Sequence, residues 1–136
     1  MGLSMPQPAP RSWPSCASAT TAALRGSAVI AGAGNLPARH IVHAVGPIWR
    51  GGGHDEAALL RGAYSASLDR VAEVGDRSVA FAAISCGIYG YPLDQAAHES
   101  VGAVRDWLGA HPDSGIEEII WVLRGPGVMA AFRGAI

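Results

Sequence analysis

The segment with the most evident capacity for chemistry is residues 85–90, which connect a predicted strand to a predicted helix. In open α/β sheets such a connection lies at the carboxyl edge of the strands, where ligands bind. Its backbone N–H groups and the positive end of the helix could hold a phosphate without a cationic side chain. Gly87 and Gly90 would let an anion approach closely, and Tyr89 could contact a sugar or a base. The local sequence is equally compatible with a tight connection whose glycines only adopt positive φ angles.

Four predicted strands and three predicted helices must position this loop. Short apolar runs predict strands at residues 27–31, 40–45, 79–84 and 119–123. The run at 79–84 is apolar enough for a central strand covered on both faces, and 119–123 should also be buried. Helices are predicted from the triple glycine at 51–53 to Gly75, from Pro92 to about Ala110, and over 128–134. The first two carry inner stripes of Leu60, Tyr64, Leu68 and Val71, and of Ala97, Val101, Val104 and Leu108. Strands that alternate with helices indicate an α/β layered fold.

The cysteines and histidines offer weaker candidates for catalysis or metal binding. Cys16 and Cys86 fit neither a disulfide framework nor the ligand spacing of a metal site. Cys86 could act as a nucleophile with His43 as its base, although a small buried cysteine is the commoner situation. His40 and His43 lie on a strand pattern and are expected to be structural, whereas His54, His98 and His111 lack ligand spacing. We therefore predict no metal, no cofactor and no catalytic residue.

The composition excludes several classes of function. With 136 residues the chain is the size of one domain, and a net charge of −1 gives no reason to expect nucleic acid or an acidic membrane as a partner. All basic residues are arginines, so a Schiff-base lysine and a Walker-A lysine are excluded. No signal peptide or membrane-spanning run is recognisable, so we expect a cytoplasmic protein.

Two long motifs resemble those of macro domains. They are Gly-Asn-Leu-Pro-Ala-Arg-His-Ile-Val-His-Ala-Val-Gly-Pro-Ile-Trp at residues 34–49 and Ala-Ile-Ser-Cys-Gly-Ile-Tyr-Gly-Tyr-Pro at residues 83–92. The resemblance runs from about Gly26 to Leu123, and it is closest to the subgroup that acts on O-acetyl-ADP-ribose or on ADP-ribosylated acidic side chains. It implies a three-layer α/β/α sheet that lacks its N-terminal strands.

The resemblance also implies a ligand and the residues that bind it. In macro domains a Ser-x-Gly-[Ile/Val]-[Tyr/Phe]-Gly loop wraps the diphosphate and the distal ribose of ADP-ribose. This pattern carries over to six residues of this chain: Ser85, Cys86, Gly87, Ile88, Tyr89 and Gly90. The loop after the last strand usually brings an aromatic ring to the adenine, and Arg124 stands at that position, where its guanidinium plane could stack.

The first part of the chain departs from the family pattern. The usual Gly-Asp-[Ile/Val] strand, the Asn-Ala-Ala-Asn segment and the Gly-rich catalytic loop are absent, and the first acidic residue is Asp55. We expect residues 1–25 to be a disordered or non-native arm in front of a truncated macro domain at 26–136. A shifted reading frame through suitable codons for residues 1–8 and 20–25 can encode family-like peptides, so out-of-frame translation is our hypothesis for this arm. The coding DNA tests it.

Three functions follow as expectations. The first is hydrolysis of O-acetyl-ADP-ribose or of ADP-ribosyl esters, the family activity. The second is an ADP-ribose-binding module without turnover, because the water-activating loop is missing. The third is an inactive fragment. The expected partner is ADP-ribose or an ADP-ribosylated protein, and the expected state is a monomer.

Overall fold

The computed structural model describes residues 24–136, so nearly all of the predicted arm at 1–25 lies outside the described residues. The elements follow one another in the order β1 (Ser27–Gly32), β2 (His40–Val45), α1 (Glu56–Glu73), β3 (Ser78–Phe81), α2 (Leu93–Ala110), β4 (Glu118–Trp121) and α3 (Pro126–Ala135). Each predicted strand and helix has a counterpart, and the mixed α/β fold is confirmed.

The four strands form two separate pairs. β1 and β2 are antiparallel, with Ser27 opposite Val45 and Gly32 opposite His40. β3 and β4 are parallel, with Ser78 opposite Glu118. Within residues 24–136 no ladder joins the two pairs. The parallel pair is the one that matters for the loop, because the carboxyl ends of β3 and β4 lie at the same edge.

The main core lies between α1, α2 and β3. Helix α1 has an apolar residue on its inner face at each turn, and Gly75 (φ 75°) follows its end in the left-handed conformation that favours glycine. The buried side chains of this core are Leu60, Tyr64, Leu68, Phe81, Tyr91, Ala96, Ala103, Val104 and Trp107. A smaller cluster joins α2 to α3 through Ala97, Val101 and Phe132. These contacts join α1 to α2 and α2 to α3.

The two faces of the β3–β4 pair differ, which corrects the prediction that both strands are buried. Phe81 and Trp121 point towards the helices, where their rings contact that of Tyr64. On the other face Ala80 is exposed, and Ile120 and Val122 are 45% and 65% exposed. The apolar runs were correctly read as strands, but in the described residues nothing covers their outer face.

Two smaller expectations are also corrected. β3 ends at Phe81 and not at Ile84, because a turn begins at Ile84. Leu108 is 36% exposed and lies outside the buried stripe of α2, which Trp107 completes instead. In the part of the chain that the structure describes, every helix is too short or too polar to cross a bilayer.

Candidate ligand-binding site

Residues 85–90 form a compact turn between β3 and α2, as the sequence predicts. Ser85 and Gly90 both have positive φ angles, 66° and 71°. The turn is closed by two backbone hydrogen bonds, from the Tyr91 N–H to the Ser85 carbonyl (3.0 Å) and from the Gly90 N–H to the Gly87 carbonyl (3.0 Å). We call this segment the ligand loop.

The middle of the ligand loop presents unpaired backbone donors. Within residues 24–136 the N–H groups of Gly87, Ile88 and Tyr89 donate to no protein acceptor. All three residues are exposed, and Ile88 stands free of the protein surface at 102% relative exposure. Helix α2 begins at Leu93, so its positive end lies close behind these donors in the chain. Three consecutive free N–H groups close to a helix N-terminus are donors of the kind that bind an anion.

The segment that follows β2 holds the ligand loop in place. The Ser85 hydroxyl donates to the Pro47 carbonyl (2.7 Å), and the Trp49 N–H donates to the Tyr89 carbonyl (2.9 Å). The rings of Trp49 and Tyr91 are in contact, with centroids 4.7 Å apart. A Cβ atom on Gly46 would collide with the side chains of Ser85 and Ile84, so this close approach requires glycine.

Tyr64 of helix α1 holds the backbone just before the ligand loop. Its hydroxyl donates to the Ala82 carbonyl (3.3 Å) and accepts from the Ile84 N–H and the Trp121 indole (3.4 Å each). Burial raises the pKa of Tyr64, and the hydroxyl therefore stays protonated and remains a donor. The backbone between β3 and the ligand loop is thus fixed by a side chain of α1.

Cys86 and His43 do not form a nucleophile–base pair. Cys86 is half-buried, and burial raises the pKa of its thiol, which disfavours the reactive thiolate. No hydrogen bond joins its sulfur to His43 in the described part of the chain, and the Nε2 atom of His43 is buried without a partner. The hydrogen-bond partner expected for this ring nitrogen of a structural histidine is therefore not found among residues 24–136.

The remaining histidines do not assemble a metal centre. His40 Nδ1 lies 2.6 Å from Asp76 Oδ2, and His111 Nδ1 lies 2.8 Å from the Trp107 carbonyl. Over residues 24–136 no group of three or more His, Cys, Asp or Glu side chains is arranged to hold a metal ion.

Arg124 lies in the exposed connection between β4 and α3. Because β3 and β4 are parallel, this connection leaves the sheet at the same edge as the ligand loop. The two helices that follow are also close together, since a Cβ on Gly127 in α3 would lie 3.5 Å from the Leu93 side chain at the start of α2. This arrangement is compatible with a ligand that spans both loops.

Neither Trp49 nor Glu56 is among the site residues predicted from the sequence. The structure places Trp49 directly on the ligand loop, and Glu56 inside the turn that follows Trp49. The triple glycine at residues 51–53 was the available signal, because such a turn requires support from outside its own backbone.

Comparison with known proteins identifies relatives of this chain. The sequence model described as "Macro domain" matches residues 13–99. An O-acetyl-ADP-ribose deacetylase of Citrobacter koseri is 56% identical over 86 residues, which are 63% of this chain and 49% of that protein. A macro domain-containing protein of Caldanaerobacter subterraneus is 47% identical over 98 residues, covering 72% of this chain and 54% of the relative.

Solved structures of macrodomains resemble the fold of this chain. The Oceanobacillus iheyensis macrodomain with ADP superposes with a TM-score of 0.75 at 28% identity, covering 82% of this chain and 57% of the other. A Trypanosoma brucei macrodomain in complex with ADP-ribose gives 0.72 at 27% identity, covering 82% and 45%. The chain spans about half the length of the curated relatives it matches. Since the family match covers more than half of its residues, the chain belongs to the macro domain family.

Proposed function

We propose that this chain binds ADP-ribose, with the diphosphate held by the ligand loop. The observation that carries the proposal is the row of three free N–H groups on Gly87, Ile88 and Tyr89. Backbone donors bind a phosphate in a fixed geometry and do not depend on a cationic side chain. The loop contains no Lys or Arg, so these N–H groups are its means of binding an anion.

The other residues of the proposed site act on the rest of the ligand. Ile88 and Tyr89 are exposed and would close over the diphosphate and the distal ribose, while the half-buried Cys86 side chain supports the loop from within. Arg124 would stack its guanidinium plane on the adenine from the neighbouring connection. The partner is free ADP-ribose or an ADP-ribosylated protein, bound by a monomer.

Hydrolysis of O-acetyl-ADP-ribose is the second candidate, because relatives about half identical to this chain carry the name of that activity. The described residues support binding better than turnover. The raised pKa of Cys86 disfavours a nucleophilic thiolate, and the carboxylate of Glu56 is occupied by three backbone N–H groups. Incubation of the chain with O-acetyl-ADP-ribose, followed by mass spectrometry of released ADP-ribose, distinguishes the two. Release above the uncatalysed rate would establish turnover.

Substitution of Gly87 by valine tests the binding site itself. A Cβ on Gly87 meets no protein atom within 4 Å, so the variant should fold normally while its side chain obstructs the approach of the diphosphate. We expect isothermal titration calorimetry to show an affinity for ADP-ribose at least about tenfold weaker, the equivalent of about 1.4 kcal/mol.

Gly109→Val is the matched control, because its Cβ also meets open space but lies near the far end of α2. It should bind ADP-ribose as the wild type does. Equal affinity of Gly87→Val and wild type would refute the proposed position of the diphosphate.

A further inference from the structure

Glu56 is a buried carboxylate that accepts three backbone hydrogen bonds from the turn before it. Glu56 is the first residue of helix α1, and it is 1% exposed. Oε2 accepts from the N–H groups of Arg50 (2.9 Å) and Gly52 (2.8 Å), and Oε1 accepts from that of His54 (2.6 Å). Within residues 24–136 it takes part in no ion pair, so backbone donors alone compensate its charge.

The turn that Glu56 holds has an unusual backbone. Gly51 and Gly52 have φ angles of 92° and 91°, and Asp55, which is not glycine, has a φ of 60°. The N–H groups of Arg50, Gly52 and His54 point inwards to a common acceptor. The carboxylate supplies it, and the conformation of residues 50–54 therefore depends on the ionised side chain of Glu56.

Trp49 connects this turn to the ligand loop. A Cβ on Gly52 would lie 3.1 Å from Cη2 of Trp49, so the turn packs directly against the indole. The Trp49 N–H in turn donates to the Tyr89 carbonyl, and its ring contacts that of Tyr91. A continuous series of contacts thus runs from Glu56 through the turn and Trp49 to the ligand loop.

We infer that Glu56 is a positioning residue for ligand binding: through the turn at 50–54 and Trp49 it fixes the Tyr89 end of the ligand loop, and so the direction of the free N–H groups. Glu56 itself does not touch the ligand. The inference rests on the proposed function, and it adds a residue far from the ligand loop in sequence to the determinants of affinity.

Glu56→Gln tests the inference with almost no change in shape. Glutamine replaces one of the two acceptor oxygens with an NH2 donor, so at least one N–H group of the turn faces another donor. We expect the affinity for ADP-ribose to fall at least about tenfold by calorimetry. In amide NMR spectra the resonances of Trp49, Ile88 and Tyr89 should move, and the Trp49 amide should exchange with solvent faster.

Glu73→Gln is the matched control, because Glu73 lies at the other end of α1 and pairs with Arg70 of the same helix. Its affinity and amide spectrum at the ligand loop should equal those of the wild type. If Glu56→Gln is folded, binds like the wild type and leaves the Tyr89 resonance in place, the inference is wrong while the proposed function stands. If the wild type does not bind ADP-ribose, the proposed function fails and the inference fails with it, whatever the Trp49 exchange rates of the two variants.

A second pair of variants applies if Glu56→Gln does not fold. Gly51→Ala and Gly52→Ala impose similar backbone strain, but only the methyl group at position 52 meets Trp49. Gly52→Ala should therefore weaken ADP-ribose binding several-fold more than Gly51→Ala, by about threefold or more. Equal affinities of the two variants would overturn the series of contacts from the turn to the ligand loop.

Discussion

At the scale of single residues, the ligand loop works through backbone geometry more than through side-chain chemistry. Its free donors are main-chain N–H groups, and its shape depends on the positive φ angles of Ser85 and Gly90. The Ser85 hydroxyl donates to the Pro47 carbonyl, so this side chain holds the loop in place. Under the proposed function, recognition of a diphosphate therefore depends on residues that keep the backbone in place.

Arg124 gives a prediction about the adenine. Replacement by alanine should weaken binding of ADP-ribose and of ADP to a similar extent, about two- to fivefold, because stacking of an exposed guanidinium contributes about 0.5–1 kcal/mol. Calorimetry with both ligands checks this, with Arg133→Ala on α3 as the control. Loss of affinity for ADP-ribose alone would place Arg124 at the distal ribose.

Glu56 gives a prediction about acid stability. Burial raises the pKa of this carboxyl, but the N–H groups of Arg50, Gly52 and His54 outweigh that effect and lower it from 4.5 to about 2. Because the folded pKa lies below the unfolded one, the unfolded chain binds more protons in this range. The ionised Glu56 carboxylate therefore stabilises the folded state fully above pH 4.5, and this contribution is lost as the pH falls towards 2.

Urea unfolding of wild type and Glu56→Gln at several pH values measures this dependence. The two free energies of unfolding should differ most above pH 4.5 and converge as the pH approaches 2. A difference that stays constant over this range would mean that the Glu56 carboxyl does not titrate as its hydrogen bonds require.

At the scale of elements, helix α1 connects the two parts of the fold. It packs against the β1–β2 pair, Tyr64 anchors the start of the ligand loop, and Arg61 pairs with Glu99 and Asp106 of α2. The helix also approaches the chain before β1 so closely that a Cβ on Gly62 would lie 2.8 Å from the Gly26 carbonyl oxygen. Helix α1 thus supports the ligand loop through Tyr64, and its first residue is Glu56.

Two glycine-to-alanine changes should have opposite effects on stability. In an open helical position the change is expected to add about 0.5–1 kcal/mol, and Gly109 in α2 is such a position. At Gly62 the methyl group meets backbone, so overpacking should cost about 1–3 kcal/mol and exceed the gain in helix propensity. Urea denaturation of both variants checks the signs. Stabilisation by Gly62→Ala would show that α1 does not contact the Gly26 segment closely.

At the scale of the whole molecule, the sequence predicted the positions of helices and strands better than it predicted which of their faces are buried. Strand His40–Val45 and the inner stripe of α1 were predicted correctly, because β-branched runs and i, i+4 apolar spacing are local signals. The exposed face of Ile120 and Val122 was not predictable, because an apolar run does not reveal which side is covered. That coverage depends on the other elements of the molecule.

The same distinction applies to the candidate site. Gly87 and Gly90 were recognisable from a local loop pattern, whereas Trp49 and Glu56 were not. The Trp49 N–H reaches the Tyr89 carbonyl across a long stretch of chain, and no periodicity within either segment encodes that contact. For the site as for the fold, the missing information lies in contacts between segments that are distant in sequence.

The most direct test of the central claim is an amide NMR titration of the full chain with ADP-ribose. If the diphosphate is held by the free donors of the ligand loop, the Gly87, Ile88 and Tyr89 resonances should show the largest shifts, saturating together. Titration with adenosine, which lacks the diphosphate, should leave these three unchanged. Saturable binding of ADP-ribose that leaves them in place, or no binding at all, would contradict the account.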